Sequence, residues 1–288
     1  MDFFSNFLLL VPKGAIASAE LGLMIQATLF MLIVIVPVLF LLFFFAWRYR
    51  AGNKKAVYQP NWEHSKMEEL IWWAIPLEIV LILGAITWTS THELHPPKPI
   101  GVEPPLVVQV VALDWKWLFI YPEQGIATVN LLVLPVDKPV RFDITADAPM
   151  NSFWIPELGG QIYAMTGMVN RLNLIANEDG TFMGRSANYS GEGFDDMTFS
   201  VMAVPPEQFE SWVHEVHTSV ANLSYVEYED LAAPGVPETP LYYSPVEAGL
   251  FDMVVAQFGH EHASEELPSQ ASGQNGNAFE GSSSLHSH

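Results

Sequence analysis

Residues 184–197 read GRSANYSGEGFDDM and keep the rhythm of a metal-binding loop with its ligands removed. Ser186 and Ser190 stand four apart, Phe194 follows four later and Met197 three after that. Soft metal ions are held by thiolates, imidazoles and thioethers. The chain contains no cysteine, so it can form neither a disulfide nor a thiolate site. Serine hydroxyls stay protonated at neutral pH and are hard donors, and Met197 alone offers one weak sulfur. The spacing is that of a site, but the residue types are not.

A second set of residues suits proton chemistry. Glu78 falls inside the apolar run LIWWAIPLEIVLILGAITW, residues 70–88. A charge at a bilayer centre costs about 2.5–3.5 kcal/mol even on the lenient insertion scale, so Glu78 is protonated or turned toward a partner helix. Both readings imply a protein neighbour. Glu69, with Glu68 beside it, lies at the start of the same run. Taken alone it reads as a solvated acid at a helix N-terminus, where the dipole favours it.

These residues need elements to position them, and composition says which. Half of the 288 residues are hydrophobic, yet the formal net charge is −20. One soluble domain does not combine the two, so they must be segregated along the chain. The apolar residues concentrate before about position 90 and the acids after it; beyond Arg171 the only Lys or Arg is Arg185. Such a surface repels phosphate backbones, which excludes nucleic acid as a partner. The run 21–47 contains no charge and is long enough to cross a bilayer, with Pro37 placed to kink it. The run 70–88 is just long enough and has tryptophans at both ends, as interfacial belts do. Between them lie Arg48, Arg50, Lys54, Lys55 and Lys66, whereas the far flanks carry only Lys13 and Lys98. The positive-inside rule puts that loop in the cytoplasm and both termini outside.

A proline-rich linker, 91–105, leads to short Val-, Ile-, Thr- and aromatic-rich runs broken by Gly, Pro, Asn and Asp. About seven short strands in roughly a hundred residues predict an antiparallel β-sandwich over 106–204. Helical patterning follows over 205–262. There SPVEAGLFDMVVAQF presents a capping box, with Ser244 at N-cap, Pro245 at N1 and Glu247 at N3. The last stretch, 263–288, is Ser-, Gly-, Gln-, Glu- and His-rich and reads as a disordered tail, and its histidines are too scattered for a fixed metal site.

From about residue 12 to 260 this order resembles subunit II of the haem–copper respiratory oxidases. DWKWLFIYPEQGIATVN (114–130) is similar to that family's aromatic segment, MNSFWIP to the strand supplying its first copper-ligating histidine, and GRSANYSGEGFDDM to the loop supplying the other ligands. Carried over by position, Asn151 stands for the first histidine, Ser186 and Ser190 for two cysteines, Asn188 for a carbonyl donor and Phe194 for the second histidine; Met197 alone survives. The resemblance therefore points to the branch without that copper, the cytochrome bo-type quinol oxidases, which TVN, MNSF, IYAMTGM and LIANEDGT also support.

The resemblance implies a two-helix transmembrane hairpin (20–90, cytoplasmic loop 48–69) after an N-terminal periplasmic segment (1–19), followed by a cupredoxin-like Greek-key sandwich and C-terminal helices. It implies a subunit of a complex that oxidises ubiquinol, reduces oxygen to water and translocates protons across a bacterial inner membrane. This chain would carry no cofactor; haem and copper would belong to the partner subunit I, beside smaller membrane subunits. Glu69, with Glu68, would open a proton path into subunit I, which now outweighs the bland reading of that acid. Trp115, Trp117 and Glu78 would lie at the subunit interface. The other reading is a membrane-tethered cupredoxin-like scaffold that takes no part in turnover. Relatives of this kind commonly bear a lipoprotein signal ending at a lipidated cysteine; without one, either the start is misassigned or anchoring rests on the two spans, which would suffice.

Overall fold

The computed structural model describes residues 8–55, 65–218 and 221–265. The first seven residues, residues 56–64 between the two helices, residues 219–220 and the tail beyond 265, where the sequence reads as disordered, lie outside the described residues. Helix α1 spans Ala15–Arg48 and α2 spans Lys66–Glu93, each running on through an internal proline, Pro37 and Pro76. Both are longer than the apolar runs that announced them. At 1.5 Å per residue, 28 residues reach about 42 Å, enough to clear a hydrocarbon core of about 30 Å at both ends. Their large side chains are bare: Phe43 is 69% exposed and Trp73 75%. A core helix of a soluble domain would be covered, so both are candidate membrane spans by length, composition and exposure.

The outer domain is a sandwich of two sheets. Strands β1 (Leu106–Leu113), β2 (Lys116–Tyr121) and β3 (Ile126–Val129) form a meander; β4 (Leu131–Pro135) crosses to the second sheet, and β5 (Val140–Ala146) returns. Then come β6 (Asn151–Trp154), β7 (Ile162–Ala164), β8 (Asn170–Leu174), β9 (Gly180–Ser186) and β10 (Thr198–Val204). Helices α3 (Pro206–His217) and α4 (Tyr225–Ala232), strand β11 (Leu241–Tyr243) and α5 (Leu250–Glu265) complete the described chain. The sheet orders are β11-β3-β2-β1-β5-β8 and β4-β10-β9-β6-β7. The sheets are mixed, where sequence predicted antiparallel pairing throughout. β5 comes back beside β1 in the same direction, and β10 lies parallel to β4, because the chain visits the opposite sheet in between.

Two strand boundaries fall where no glycine or proline marks them. Trp115 (φ 63°) divides β1 from β2 and Asn130 (φ 57°) divides β3 from β4. A left-handed asparagine is tolerable, whereas a left-handed tryptophan is uncommon and signals a local demand. The core is aromatic. Phe153 stacks on Phe199 at 5.3 Å, and Trp117 meets Phe153 edge-on at 5.4 Å.

The outer face of the first sheet is also covered. Val111, Leu113, Leu118 and Ile120 pack beneath Leu223, Tyr228, Leu250, Phe251 and Val254. This second core explains why 106–121 reads as nearly continuous apolar sequence instead of alternating. The 205–262 region packs onto the sandwich, and its strand β11 pairs with β3. The expected capping box does not form. The peptide Ser244–Pro245 is cis, Val246 bridges to Leu223, and α5 starts only at Leu250. Glu247 caps a different helix: its Oε2 accepts from the Tyr225 N–H, at the start of α4, at 2.6 Å.

The hairpin is tied to the sandwich. Lys13 N–H donates to Glu157 O at 2.7 Å, Ala17 N–H to Leu158 O at 3.1 Å, and Asn177 N–H to Lys13 O at 2.9 Å. Gly14 permits this approach, because a Cβ there would sit 2.5 Å from Ile175 O. At the other end of the hairpin, the Asn173 N–H and Nδ2 both donate to Pro96 O, at 3.0 and 3.1 Å.

Across the sandwich, Tyr121 on one sheet binds the free edge of β4 on the other. Its hydroxyl accepts from Val133 N–H at 2.9 Å and donates to Val133 O at 3.1 Å. Tyr121→Phe keeps the ring but strands two buried backbone groups. It should destabilise the chain by about 1–3 kcal/mol, read as a lower unfolding midpoint of the detergent-solubilised protein.

Candidate functional site

The residues singled out at the degenerate metal positions come together. Asn151 opens β6, Ser186 ends β9, and the turn to β10 brings Ser190 and Met197 back over both. All four are buried, Asn151 completely. The Ser186 hydroxyl donates to Asn151 Oδ1. Asn151 Nδ2 lies 3.1 Å from Met197 Sδ, and Ser190 Oγ lies 3.9 Å from the same sulfur. The Asn188 carbonyl oxygen is 3.2 Å from Ser186 Oγ, and Asn188 Nδ2 donates to Met150 O at 3.0 Å. Phe194 does not join this cluster. Its ring sits 5.6 Å from that of Tyr189, at the start of a single 3-10 turn, Phe194–Asp196.

This donor set does not fit a copper pair. An amide, two hydroxyls and one thioether supply no bridging thiolate and no imidazole. The same donors are already spent on one another, so a metal would have to break a satisfied buried network. Among the described residues no three His, Asp or Glu side chains gather as a metal site.

Trp115 accounts for the shape of the loop. Its indole N–H donates to Ser190 O at 3.2 Å. The ring lies flat against the loop backbone: a Cβ on Gly193 would fall 2.5 Å from Trp115 Cδ2, and one on Gly191 3.2 Å from Cζ2. The strained φ of Trp115 is the local demand noted above, since it aims the indole across the turn. Sequence reading missed this contact, although the glycines of SGEG signalled a close approach by some large group. Trp117, expected at a subunit surface, is corrected by the structure. It is fully buried between Phe153 and Phe199, where the alternation of β2 points it into the core.

Glu68 and Glu69 occupy the first turn of α2 and Glu78 lies further along it, all three exposed on the described chain. Glu68 and Glu69 open α2, at the opposite end of that helix from the link to the sandwich, and Glu78 lies near its middle. Two further contacts were not legible. Tyr228 donates to Asp147 Oδ2 at 2.6 Å, tying α4 to the loop that delivers Asn151. Burial and the Asp147 carboxylate both push the Tyr228 phenol far above its ordinary range. Lys116 Nζ donates to Ala233 O and Gly235 O at 2.7 and 3.1 Å, and burial holds its amine below the usual lysine range.

Glu157, beside this region, is 9% exposed, and its Oε2 has no hydrogen-bond partner among the described residues. Burial pushes its carboxyl up, against a smaller downward pull from its own backbone N–H and from Arg185. The folded state therefore holds the proton to higher pH than the unfolded chain does. Stability contributed there is complete at low pH and is lost as pH rises through the raised value. Glu157→Gln should raise the unfolding midpoint at pH 7 by the equivalent of about 1 kcal/mol, with the gain disappearing near pH 4. At the cluster itself, Ser186→Cys with Ser190→Cys should not yield a mixed-valence copper signal on adding copper, because both imidazoles are still missing. Electron spin resonance of the loaded double variant checks this.

Comparison with known proteins matches a family model described as cytochrome C oxidase subunit II, periplasmic domain, to residues 122–204, and one described as COX aromatic rich motif to residues 217–262. The cytochrome bo(3) ubiquinol oxidase subunit 2 of Pseudomonas aeruginosa is 50% identical over 250 residues, 86% of this chain and 76% of that one. The ubiquinol oxidase subunit 2 of Acetobacter aceti is 48% identical over 253 residues, 86% of this chain and 82% of that one. Among solved structures, the periplasmic domain of subunit II of cytochrome oxidase from Bradyrhizobium japonicum matches at 23% identity and a TM-score of 0.39, covering 40% of this chain and 96% of that one. A two-helix hairpin, a cupredoxin-like sandwich and half-identical sequence over most of its length together show that this chain belongs to the subunit 2 family of the ubiquinol oxidases.

Proposed function

We propose that this chain serves a haem–copper quinol:oxygen oxidoreductase as a subunit without a redox centre of its own. The complex oxidises ubiquinol, reduces oxygen to water and translocates protons. The observation that carries this reading is the self-satisfied cluster of Asn151, Ser186, Ser190 and Met197 inside an otherwise intact metal-loop scaffold. Electrons cannot enter through a copper pair here, so they arrive from a quinol in the lipid phase. Haem and copper belong to the partner subunit I, which the bare faces of α1 and α2 would meet together with smaller membrane subunits. The positive residues between the two helices favour a cytoplasmic loop and a sandwich on the periplasmic side of the inner membrane.

Within this reading Glu69 collects protons. It sits in the first turn of α2 at the cytoplasmic surface, with Glu68 beside it and the apolar run beginning at Leu70. Carboxylates there take protons from water and pass them toward a partner helix. Glu78 lies nine residues further along the same helix, about 13 Å toward the membrane centre. A carboxyl there favours a protein neighbour, which supports Glu78 as a candidate for the contact with subunit I. Trp115 is partly accessible beside the cluster, so it is the tryptophan that remains available to an interface.

The assignment is tested by purifying the native complex. A haem-bearing multi-span subunit must co-purify in fixed ratio; a stable, colourless chain running alone overturns it. Glu69→Gln should slow oxygen consumption by the intact complex several-fold with haem content unchanged, and equal turnover at every pH would remove Glu69 from the path.

A further inference from the structure

Two cavities meet where the outer ends of α1 and α2 approach the sandwich, and both touch Leu94. The lower, of about 290 Å³, lies between the helices and is walled chiefly by apolar groups, among them Leu23, Ala27, Leu83 and Ile86. The upper, of about 320 Å³, is bounded by residues 160–161 and Asn173, and two acids and two basic residues line it: Glu20, Glu93, His95 and Lys98. None of these four forms an ion pair with another described residue.

Their depth is set by the hairpin. Trp88, 70% exposed, closes the apolar run of α2 and marks the interfacial belt. The upper cavity therefore sits at headgroup level and the lower one at the level of the first acyl carbons. The upper cavity is also shaped for its charges. Gly160 leaves room for the Glu20 carboxylate, since a Cβ there would fall 2.8 Å from Glu20 Oε1. The wall opposite is held by the two hydrogen bonds from Asn173 to Pro96 O.

We propose that this pair of cavities binds one zwitterionic phospholipid with a primary-amine headgroup. Lys98 and His95 face the phosphate, Glu20 and Glu93 accept hydrogen bonds from the ammonium, and an acyl chain fills the groove between the helices. Glu20 accepts from the Gly160 N–H and Glu93, His95 and Lys98 are exposed, so a zwitterionic headgroup at the membrane boundary would meet acids and bases together in one cavity. A quinol head is neutral and brings no opposite charge to Glu20, Glu93 or Lys98, and an anionic lipid meets two repelling carboxylates. The inference rests on the reading of α1 and α2 as membrane spans.

The test uses the purified complex, stripped of lipid by detergent exchange and titrated with phosphatidylethanolamine, phosphatidylcholine or phosphatidylglycerol in mixed micelles. Native mass spectrometry reads the lipid retained. Phosphatidylethanolamine should be held at least tenfold more tightly than phosphatidylglycerol. Phosphatidylcholine should fall between them, since its quaternary ammonium donates no hydrogen bond. Glu93→Gln with Lys98→Gln should reduce phosphatidylethanolamine retention about tenfold, and Lys138→Gln, outside the cavity, should not. Equal retention of the three lipids, no retained lipid, an unchanged double variant, or displacement by a ubiquinol analogue would each overturn the site. If the double variant fails to assemble, the headgroup series on the parent complex decides alone. Haem in the same sample reports whether the complex is intact, so loss of discrimination in a haem-bearing sample condemns the lipid site and not the family assignment.

Discussion

A polar atom buried without a partner costs more than the bond it fails to make is worth. That asymmetry governs the turn between β9 and β10. A loop shaped for metal ligands points its side chains inward, and inward-pointing groups must be apolar, metal-bound or bonded to one another. Here Asn151, Ser186, Ser190 and Met197 take the third course, with the amide as hub. The turn keeps its length and its contact with Trp115 because the sandwich closes around that shape. What is lost is electronic: softness and basicity, and with them a place for electrons to stop.

The same constraint explains why the C-terminal region is not an appendage. β1 and β2 are buried on both faces, so their outward side chains need a cover, and α4, β11 and α5 supply it. Covering a sheet brings polar backbone and charged side chains inside, where each must find a partner. Lys116 finds the carbonyls of Ala233 and Gly235, and Asp147 finds the Tyr228 hydroxyl. These two contacts hold the covering layer at opposite ends of the turn region. Through Asp147 they also fix the segment that leads into Asn151. The second core and the serine–asparagine cluster are thus parts of one arrangement.

Much of this was legible from residues alone, for physical reasons that differ by element. The hairpin was plain because the bilayer sets a length that few soluble segments reach, and the loop stood out because its spacing outlived its ligands. Strand boundaries at Trp115 and Asn130 were hidden, since a left-handed backbone at a bulky residue is imposed by tertiary contact and leaves no local mark. The capping box at Ser244 misled for a related reason. Its parts were present, but Glu247 found a better partner in the Tyr225 N–H, and the chain before Leu250 was drawn into pairing with Leu223. Trp117 failed as a surface residue because one strand register decides between core and interface, and composition does not carry register.

The charge imbalance has a structural consequence at the membrane boundary. Apolar surface is collected in α1 and α2 and acidic surface in the sandwich, and few side chains join them: Lys13 pairs with Glu178, Ile16 packs against the core and Asn173 Nδ2 donates to Pro96 O. Backbone adds to these ties: Lys13, Ala17 and Asn177 on one side of the hairpin, Pro96 and Asn173 on the other. Backbone hydrogen bonds do not depend on side-chain charge and fix distance closely. Glycine at position 14 is the condition for them, because any larger residue would push the helix off the Ile175 carbonyl. Two such ties, one at each helix end, hold the sandwich at a set height above the spans. That height leaves Glu20, Glu93, His95 and Lys98 facing a common space at the boundary, and it keeps the serine–asparagine turn on the outer domain far from the carboxylates that open α2. The carboxylates that open α2 and the serine–asparagine turn are therefore separate features of one chain.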